Sequence, residues 1–390
     1  MLERPFWYLN KEVLKSMVFF GQNKHPYVLI VSFLLLILSC HSSREPHVIV
    51  KTVNTGLPDV FDYESPESVR LCGEIIDLTD PVNQEMFDRE FIISVWDIPQ
   101  VLMWLKRSGR FFPYFEERLA ERNLPDDLKY LAIAESSLHT HIKSKAGALG
   151  IWQLMEKTAR RYGLQVDRAM MDERLCYERS TDASLAYLEE LKGMFNSWLL
   201  SMAAYNCGEN QLNKALKNQT GKDYFSLDLP RETERYIFRI AAIKYIMENP
   251  ERFGFKVDET KFYKPIVSSR IDVDINDRFY ISDLSELTGI SYKTFMELNP
   301  KIISPLLPLG SYSLHIPPGF EKTFQASLEK LRDPVYRKKH SYDSRYYVVQ
   351  DGDVLSSISW ETGVPVNTIK KLNHIRGSHI QPGQKLLIRK

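Results

Sequence analysis

Hydrophobic positions change texture three times along this 390-residue chain. Residues 27–38 form an apolar run interrupted only by Ser32, preceded by Lys24 and His25 and closed by Ser39 and Cys40. At about a dozen residues the run is too short to span a bilayer and has the length of a signal-peptide core. From 40 to 85 the chain is polar and punctuated by proline ("SSREPH", "NTGLPDV", "YESPES"), which predicts a tether. From 86 to 258 apolar residues recur at helical spacing, as in "SVWDIPQVLMWLKRSG", "STDASLAYLEELKGMF" and "ETERYIFRIAAIKYIMEN". No stretch there alternates convincingly as a strand, so the pattern predicts a compact, mainly α domain.

After Pro265 short units appear, and one of them occurs twice. In 345–390, "YYVV" reads as a strand that leads to a turn at Asp351 and Gly352. Asp353 can cap a helix carrying Leu355 and Ile358, and Gly363 can end it. A second helix carries Ile369 and Leu372, followed by Asn373, and "PGQKLLI" returns as a strand. Shifted by 74 positions, Ile281, Leu284, Gly289, Phe295, Leu298 and Asn299 fall on Leu355, Ile358, Gly363, Ile369, Leu372 and Asn373. The earlier copy, within 265–318, lacks the "DGD" turn and closes two residues late. Both copies predict small α+β units of strand, helix, helix and strand. Residues 319–344 read as a linker with one short helix.

One position breaks the helical pattern. In "LPDDLKYLAIAESS", Pro125 with Asp126 and Asp127 suits a helix start. Leu128, Leu131 and Ala132 make an apolar stripe whose next place, i+7, is Glu135. An isolated carboxylate there is usually solvated or paired. A carboxyl on an apolar face can also be held protonated near neutral pH, which is what a general acid needs.

Composition narrows the function. Lys and Arg total 51 against 50 Asp and Glu, a formal net charge of +1, which gives no footprint for nucleic acid. The nine His show no HExxH or paired-ligand spacing, so neither a metal nor a cofactor is expected. No nucleophile elbow is recognisable for a Ser or Cys enzyme. Beside Cys40, Cys72, Cys176 and Cys207 permit one disulfide in an oxidising compartment, with the pairing open.

Several motifs carry resemblances. "ILSC" resembles the lipobox of bacterial lipoproteins, in which Cys40 would be lipidated and become the first mature residue; an ordinary signal peptide or short anchor is the other reading. Residues 1–16 precede any signal-like pattern, so translation is expected to begin at Met17. The repeats, with "GD..L..I", "LN" and "PGQ.L.I" in the second, resemble LysM modules, which bind N-acetylglucosamine-containing glycan. "ES" at Glu135 and Ser136, "S..GALG.WQLM" at 144–155, "AAYN.G" at 203–208 and "LPRET..Y" at 229–236 resemble the soluble lytic transglycosylase catalytic domain. That resemblance implies a lysozyme-like α fold and cleavage of the MurNAc-β-1,4-GlcNAc bond of peptidoglycan, with a 1,6-anhydroMurNAc end. It makes Glu135 the single catalytic acid and base. Ser144, Gln153 and Tyr205 would line the catalytic subsite, and Met155, Asn206 and Tyr236 the groove or its support.

Trp152 and Met155 are expected to offer apolar surface to a sugar ring. The expected partners are peptidoglycan strands and a membrane, through lipid on Cys40. His41 is not the Asp that favours inner-membrane retention in enteric bacteria, which points weakly to the outer membrane. Two other readings stay open. One is a hydrolytic muramidase, in which Glu156 or Glu209 would hold a water; the other is a non-catalytic wall-binding lipoprotein.

Overall fold

The structure, a computed structural model, describes residues 64–256, 258–333, 336, 346–362 and 364–388. The expected leader, Cys40 and the first part of the tether lie outside the described residues.

Three separate hydrophobic cores divide the described chain. The first gathers residues between Val69 and Phe255. It begins earlier than the helical pattern predicted, because β1 (Ser68–Leu71) and β2 (Glu74–Asp77) pair as an antiparallel hairpin. Val69, Leu71 and Ile76 are buried in this core, so the polar stretch expected as a tether to 85 has joined the domain by residue 68. Cys72 and Gly73 both take positive φ at the turn, the geometry a two-residue hairpin loop needs. The Cys72 amide donates to Asp127 at 2.7 Å, which ties the hairpin to the segment that leads into Glu135. Cys72, Cys176 and Cys207 are all free thiols, so no pairing among them is made.

Two long helices follow. In α1 (Pro81–Trp96), Asp80 caps the first turn by accepting from the Val82 and Asn83 amides. In α2 (Ile98–Glu121), Val101, Trp104, Leu105, Ser108, Phe111, Phe115 and Leu119 form the buried stripe. The short α3 (Lys129–Ser136) comes next, then α4 (Glu156–Arg161) and the two-residue strands β3 (Val166–Asp167) and β4 (Met171–Asp172). Next come α5 (Tyr177–Phe195), α6 (Trp198–Cys207), α7 (Glu209–Asn218) and α8 (Arg231–Glu248). Residues 198–204 of α6 are all buried, as are Tyr236, Ile237, Phe238, Ile240, Ala241, Ala242 and Ile243 of α8. Helix α8 packs against α1, α3 and α6, and therefore forms the wall behind α3.

The second core belongs to the first repeat. Strand β5 (Ser269–Ile275) pairs antiparallel with β6 (Gly310–Ile316), with α9 (Ile281–Thr288) and α10 (Tyr292–Leu298) between them. Helix α11 (Glu321–Arg332), expected as part of a linker, contributes Phe324, Leu328 and Leu331 to this core. The third core lies in the last repeat, where β7 (Tyr346–Val348) pairs with β8 (Lys385–Leu387) around α12 (Leu355–Thr362) and α13 (Val366–Leu372).

The 74-residue relation is visible in side-chain bonds. Asn299 Nδ2 donates to the carbonyls of Phe295 and His315, and its Oδ1 accepts from the His315 amide. Asn373 makes the same three bonds with Ile369 and Leu387. An asparagine, buried at 299 and half-buried at 373, thus clips each second helix to its closing strand and satisfies backbone groups there. Thr288 and Thr362 likewise return their hydroxyls to Leu284 and Ile358.

Candidate active site

Glu135 closes the buried stripe of α3. Leu128, Leu131 and Ala132 are fully buried, while Glu135 is partly open at the helix end. Ser137 and Leu138 both take left-handed backbone, with φ of 53° and 60°, and stop the helix there. The Ser137 amide returns to the Ile133 carbonyl at 2.7 Å, and Arg107 donates to the Ser137 carbonyl at 2.9 Å. These bonds hold the last turn, and the carboxylate it carries, in one place.

The carboxyl faces α8. The Tyr236 hydroxyl donates to Glu135 Oε1, a contact between residues 101 apart in sequence. Burial pushes the Glu135 pKa up to about 7, partly offset by this hydrogen bond and by the positive charge of Arg239, while Glu232 adds to the rise. Tyr236 is itself buried, and burial together with Glu135 drives its own pKa well above the usual range, so its hydroxyl stays a donor. With Oε1 accepting from tyrosine, the acidic proton belongs on Oε2.

Residues 142–155 make the facing loop. The Ser136 hydroxyl donates to the Ile151 carbonyl at 2.7 Å and fastens this loop to α3. The Ser144 amide donates to the Ala148 carbonyl at 2.9 Å, and the Ser144 hydroxyl accepts from the Ala148 amide at 3.0 Å. Gln153 sits at φ 48° and donates its side-chain amide to the carbonyls of Ile142 and Gly150, at 3.0 and 2.8 Å. Both N–H bonds are thereby committed, which leaves the amide oxygen to a ligand. Met155 is 44% exposed at the start of α4. Trp152 differs from expectation: it is fully buried, packs on Phe115 at 5.1 Å between ring centroids, and donates its indole N–H to Thr181 at 2.8 Å. It is core, and no sugar can reach its face.

Beneath the loop, Arg174 donates to the carbonyls of Gly147 and Leu154 and pairs with Asp172 at 2.7 Å, both side chains buried. Tyr205 donates to the Trp152 carbonyl at 2.7 Å, with the Ser184 hydroxyl 3.2 Å away. Burial raises its pKa and the Glu135 charge raises it further, so Tyr205 shares the electrostatic surroundings of Glu135 without a hydrogen bond to it. Asn206 Oδ1 accepts from the Thr233 hydroxyl at 2.8 Å, which links the end of α6 to the first turn of α8.

The structure therefore brings Glu135 and Tyr236 into contact, with Gln153 on the 142–155 loop and Tyr205 on α6 bonded to that loop. The two carboxylates expected to assist a muramidase stand elsewhere. Glu156 pairs with Arg160 and Arg168, and Glu209 with Arg161 and the Tyr187 hydroxyl; neither contributes to the shift at Glu135. Glu232, which stands in the "LPRET..Y" motif without an expected role, is the carboxylate whose charge reaches Glu135. Its i, i+4 spacing from Tyr236 was the available signal.

Removing the tyrosine hydroxyl separates its two effects. In Tyr236→Phe the carboxyl of Glu135 loses a bond that favours its charged form, so its pKa should climb further above 7. The high-pH limb of kcat/KM should move to higher pH while the peak value falls about tenfold through lost orientation. An unmoved limb would show that the hydroxyl does not tune this carboxyl.

Comparison with known proteins matches 113–227 to the family model "Transglycosylase SLT domain" and 347–389 to "LysM domain". The chain is similar to membrane-bound lytic murein transglycosylase D of Escherichia coli strain K12, 31% identical over 293 residues, covering 72% of this chain and 64% of that protein. It is also 29% identical over 191 residues to a putative soluble lytic murein transglycosylase of Haemophilus influenzae, covering 44% of this chain and 31% of that one. The crystal structure of the 70 kDa soluble lytic transglycosylase SLT70 from Escherichia coli is 22% identical, with TM-score 0.31, covering 40% of this chain and 26% of that one. The chain thus spans a little under two thirds of the length of the first of these curated relatives. The helix-rich part is an SLT lysozyme-like fold, and a LysM domain ends the chain.

Proposed function

We propose that this protein is a peptidoglycan lytic transglycosylase that cuts the MurNAc-β-1,4-GlcNAc bond and leaves a 1,6-anhydroMurNAc end. The observation that carries the reading is Glu135, a carboxyl raised to about 7 in the last turn of α3 with Oε1 held by Tyr236. The SLT and LysM matches, and the murein transglycosylases among the relatives, support it.

Near neutral pH the neutral carboxyl hands its Oε2 proton to the glycosidic oxygen, and the C1–O bond breaks with its electron pair going to the departing GlcNAc O4. The muramic N-acetyl group stabilises the positive C1. Glu135, now a carboxylate, takes the proton of the same sugar's 6-hydroxyl, and O6 closes on C1. The proton returns to Glu135, no water is consumed and one carboxyl suffices. The Gln153 amide oxygen is the group proposed to accept from the N-acetyl N–H. Ser144 shapes the loop at this subsite, Met155 offers its exposed surface to a sugar, and Tyr205 and Asn206 brace the loop and helix ends. As the initial step needs the protonated form, activity should fall as pH rises through about 7.

The same reading puts the protein at the cell envelope, facing the periplasm and anchored by lipid on Cys40, with the outer membrane preferred. The name of the Escherichia coli relative, a membrane-bound enzyme, supports the coarser part of this. The C-terminal repeat, 345–390, is proposed to hold the enzyme on the wall. Deleting it should weaken co-sedimentation with sacculi at least about tenfold and leave turnover of soluble glycan fragments nearly unchanged, since its core is separate. Equal sedimentation of both forms would count against that role.

A hydrolytic muramidase keeps one specific support, the charge of Glu232 on Glu135. Product mass decides between the two. Anhydro-muropeptides, one water lighter than reducing ones, mark the transglycosylase, and reducing ends mark the hydrolase.

A further inference from the structure

A cavity of about 970 Å³ lies between the helical domain and the first repeat, and neither Glu135, Gln153 nor Tyr236 lines it. The two parts are joined by backbone: the Asp172 amide donates to the Lys301 carbonyl at 2.7 Å and the Ile303 amide to the Met170 carbonyl at 3.1 Å. The segment between α10 and β6 is thus partly taken up by the β3–β4 hairpin, and the cavity opens beside that seam. Its walls are mostly apolar, with Phe111, Leu175, Ile266, Met296 and Ile303 among them. The volume is far larger than a packing void and falls in the range of small-molecule sites.

Two features show what would fit. The Tyr292 hydroxyl, on this wall, is buried and has no hydrogen-bond partner, an omission that native interiors rarely tolerate. The charged wall groups, by contrast, already have hydrogen-bond or ion-pair partners. Lys293 lies 3.7 Å from Glu297, Lys301 Nζ donates to the Ser313 carbonyl at 2.6 Å, and Arg110 donates to the Lys264 carbonyl at 3.3 Å. Glu178 accepts from the Cys176 thiol at 3.1 Å. His315 is bonded to Ser268, and burial lowers its pKa, keeping it neutral. An anionic stem peptide would meet three cations already engaged, Arg110, Lys293 and Lys301, set against two carboxylates, Glu178 and Glu297, so the wall offers it almost no net attraction. A neutral sugar, with apolar ring faces, hydroxyls and an acetamido group, meets apolar walls and a waiting hydroxyl.

Thr140 and His141 connect this cavity to the chemistry. They directly precede Ile142, whose carbonyl accepts from Gly150 and from the Gln153 side chain. From the apolar walls, the near-balanced charges and the unpartnered Tyr292 hydroxyl we infer that the cavity is an accessory subsite for an N-acetylated sugar of the wall glycan, formed jointly by the helical domain and the first repeat. The inference rests on the wall-glycan reading of the catalytic groove. It gives the first repeat a role different from a free-standing module, because one of its edges is built into the enzyme.

Two methionines report the two sites separately, Met155 at the groove and Met296 in the cavity wall. The full chain labelled with [methyl-13C]methionine is titrated with chitotetraose and, separately, with the Ala-Glu-diaminopimelate stem tripeptide; Met155→Leu and Met296→Leu assign the signals. The expected result is that chitotetraose shifts both methyls, each saturably, and the tripeptide leaves Met296 in place. Tyr292→Phe should then weaken the Met296 titration about fivefold and leave that of Met155 unchanged. A shift of Met155 alone overturns the subsite and leaves the groove reading standing. A Met296 shift caused only by the tripeptide, or one insensitive to Tyr292→Phe, also overturns it. Silence of both methyls overturns the subsite and counts against the groove reading as well.

Discussion

Glu135→Gln should reduce release of anhydro-muropeptides from purified sacculi at least about a thousandfold, with sacculus binding retained. Glutamine keeps an acceptor oxygen for Tyr236 and nearly the same volume, so the groove stays intact, but it can neither give nor take the proton that both halves of the reaction require. Mass spectrometry of the released fragments is the readout, and substantial residual turnover would sink the single-glutamate mechanism. No release by either form, with binding intact, would leave a wall-binding protein on an enzyme fold. The same substitution should alter stability with a particular pH signature. Below pH 4.5 the carboxyl is neutral in both folded and unfolded chains and the variant gains nothing. Between 4.5 and about 7 the unfolded chain ionises while the folded one resists, so folding of the parent is increasingly penalised. Above pH 7 the glutamine variant should be the more stable by up to about 3 kcal/mol. Denaturant titration at pH 4 and pH 8 checks this, and an equal difference at both would show that the carboxyl is not burial-shifted.

Gly150→Ala should damage the site without touching a catalytic group. Gly150 has φ 86°, and a Cβ there would lie 2.0 Å from the Arg174 carbonyl oxygen. Backbone, unlike a flexible side-chain tip, cannot swing aside. Either the loop that carries Gln153 lifts or the Arg174 segment moves, and moving it strains the buried Arg174–Asp172 pair and its bonds to Gly147 and Leu154. Left-handed strain and a disturbed buried pair together suggest a loss of about 3 kcal/mol or more, roughly 10 °C in melting temperature, with turnover falling alongside. Gly147→Ala is the control. Its φ is 94°, but nothing lies within 4 Å of the added carbon, so it carries the strain alone, about 1 kcal/mol. Equal losses in the two variants would mean that contact with Arg174 does not matter.

Much of this was legible locally. Glu135 stood out because an α-helix puts i+7 on the same face as i, i+3 and i+4, and the stripe before it is indeed buried. The repeats were legible because each is built from contacts within a few tens of residues, down to the asparagine that ends each second helix. Tyr236 was marked only by motif, since core packing and contact with the glutamate look alike in sequence; it does both. Trp152 was misread as a sugar platform because its burial depends on Phe115 and Thr181, both brought in from elsewhere in the chain. The carboxylate whose charge reaches Glu135 was missed for a related reason. Glu156 is 21 positions from Glu135 yet is held away by two arginines, whereas the more distant Glu232 lies on the helix that faces it.

The sequence by itself determined the helical stripe with its odd carboxylate, the repeated strand–helix–helix–strand unit and the motifs of the groove. Each depends on backbone periodicity and turn chemistry, which act over a few residues. Only the tertiary structure decided that burial raises the Glu135 pKa to about 7, that Tyr236 holds one of its oxygens, that residues 68–77 belong to the helical core and that the first repeat shares a cavity with the helical domain. Burial and charge are sums over whatever the fold brings near, and no local pattern contains that sum.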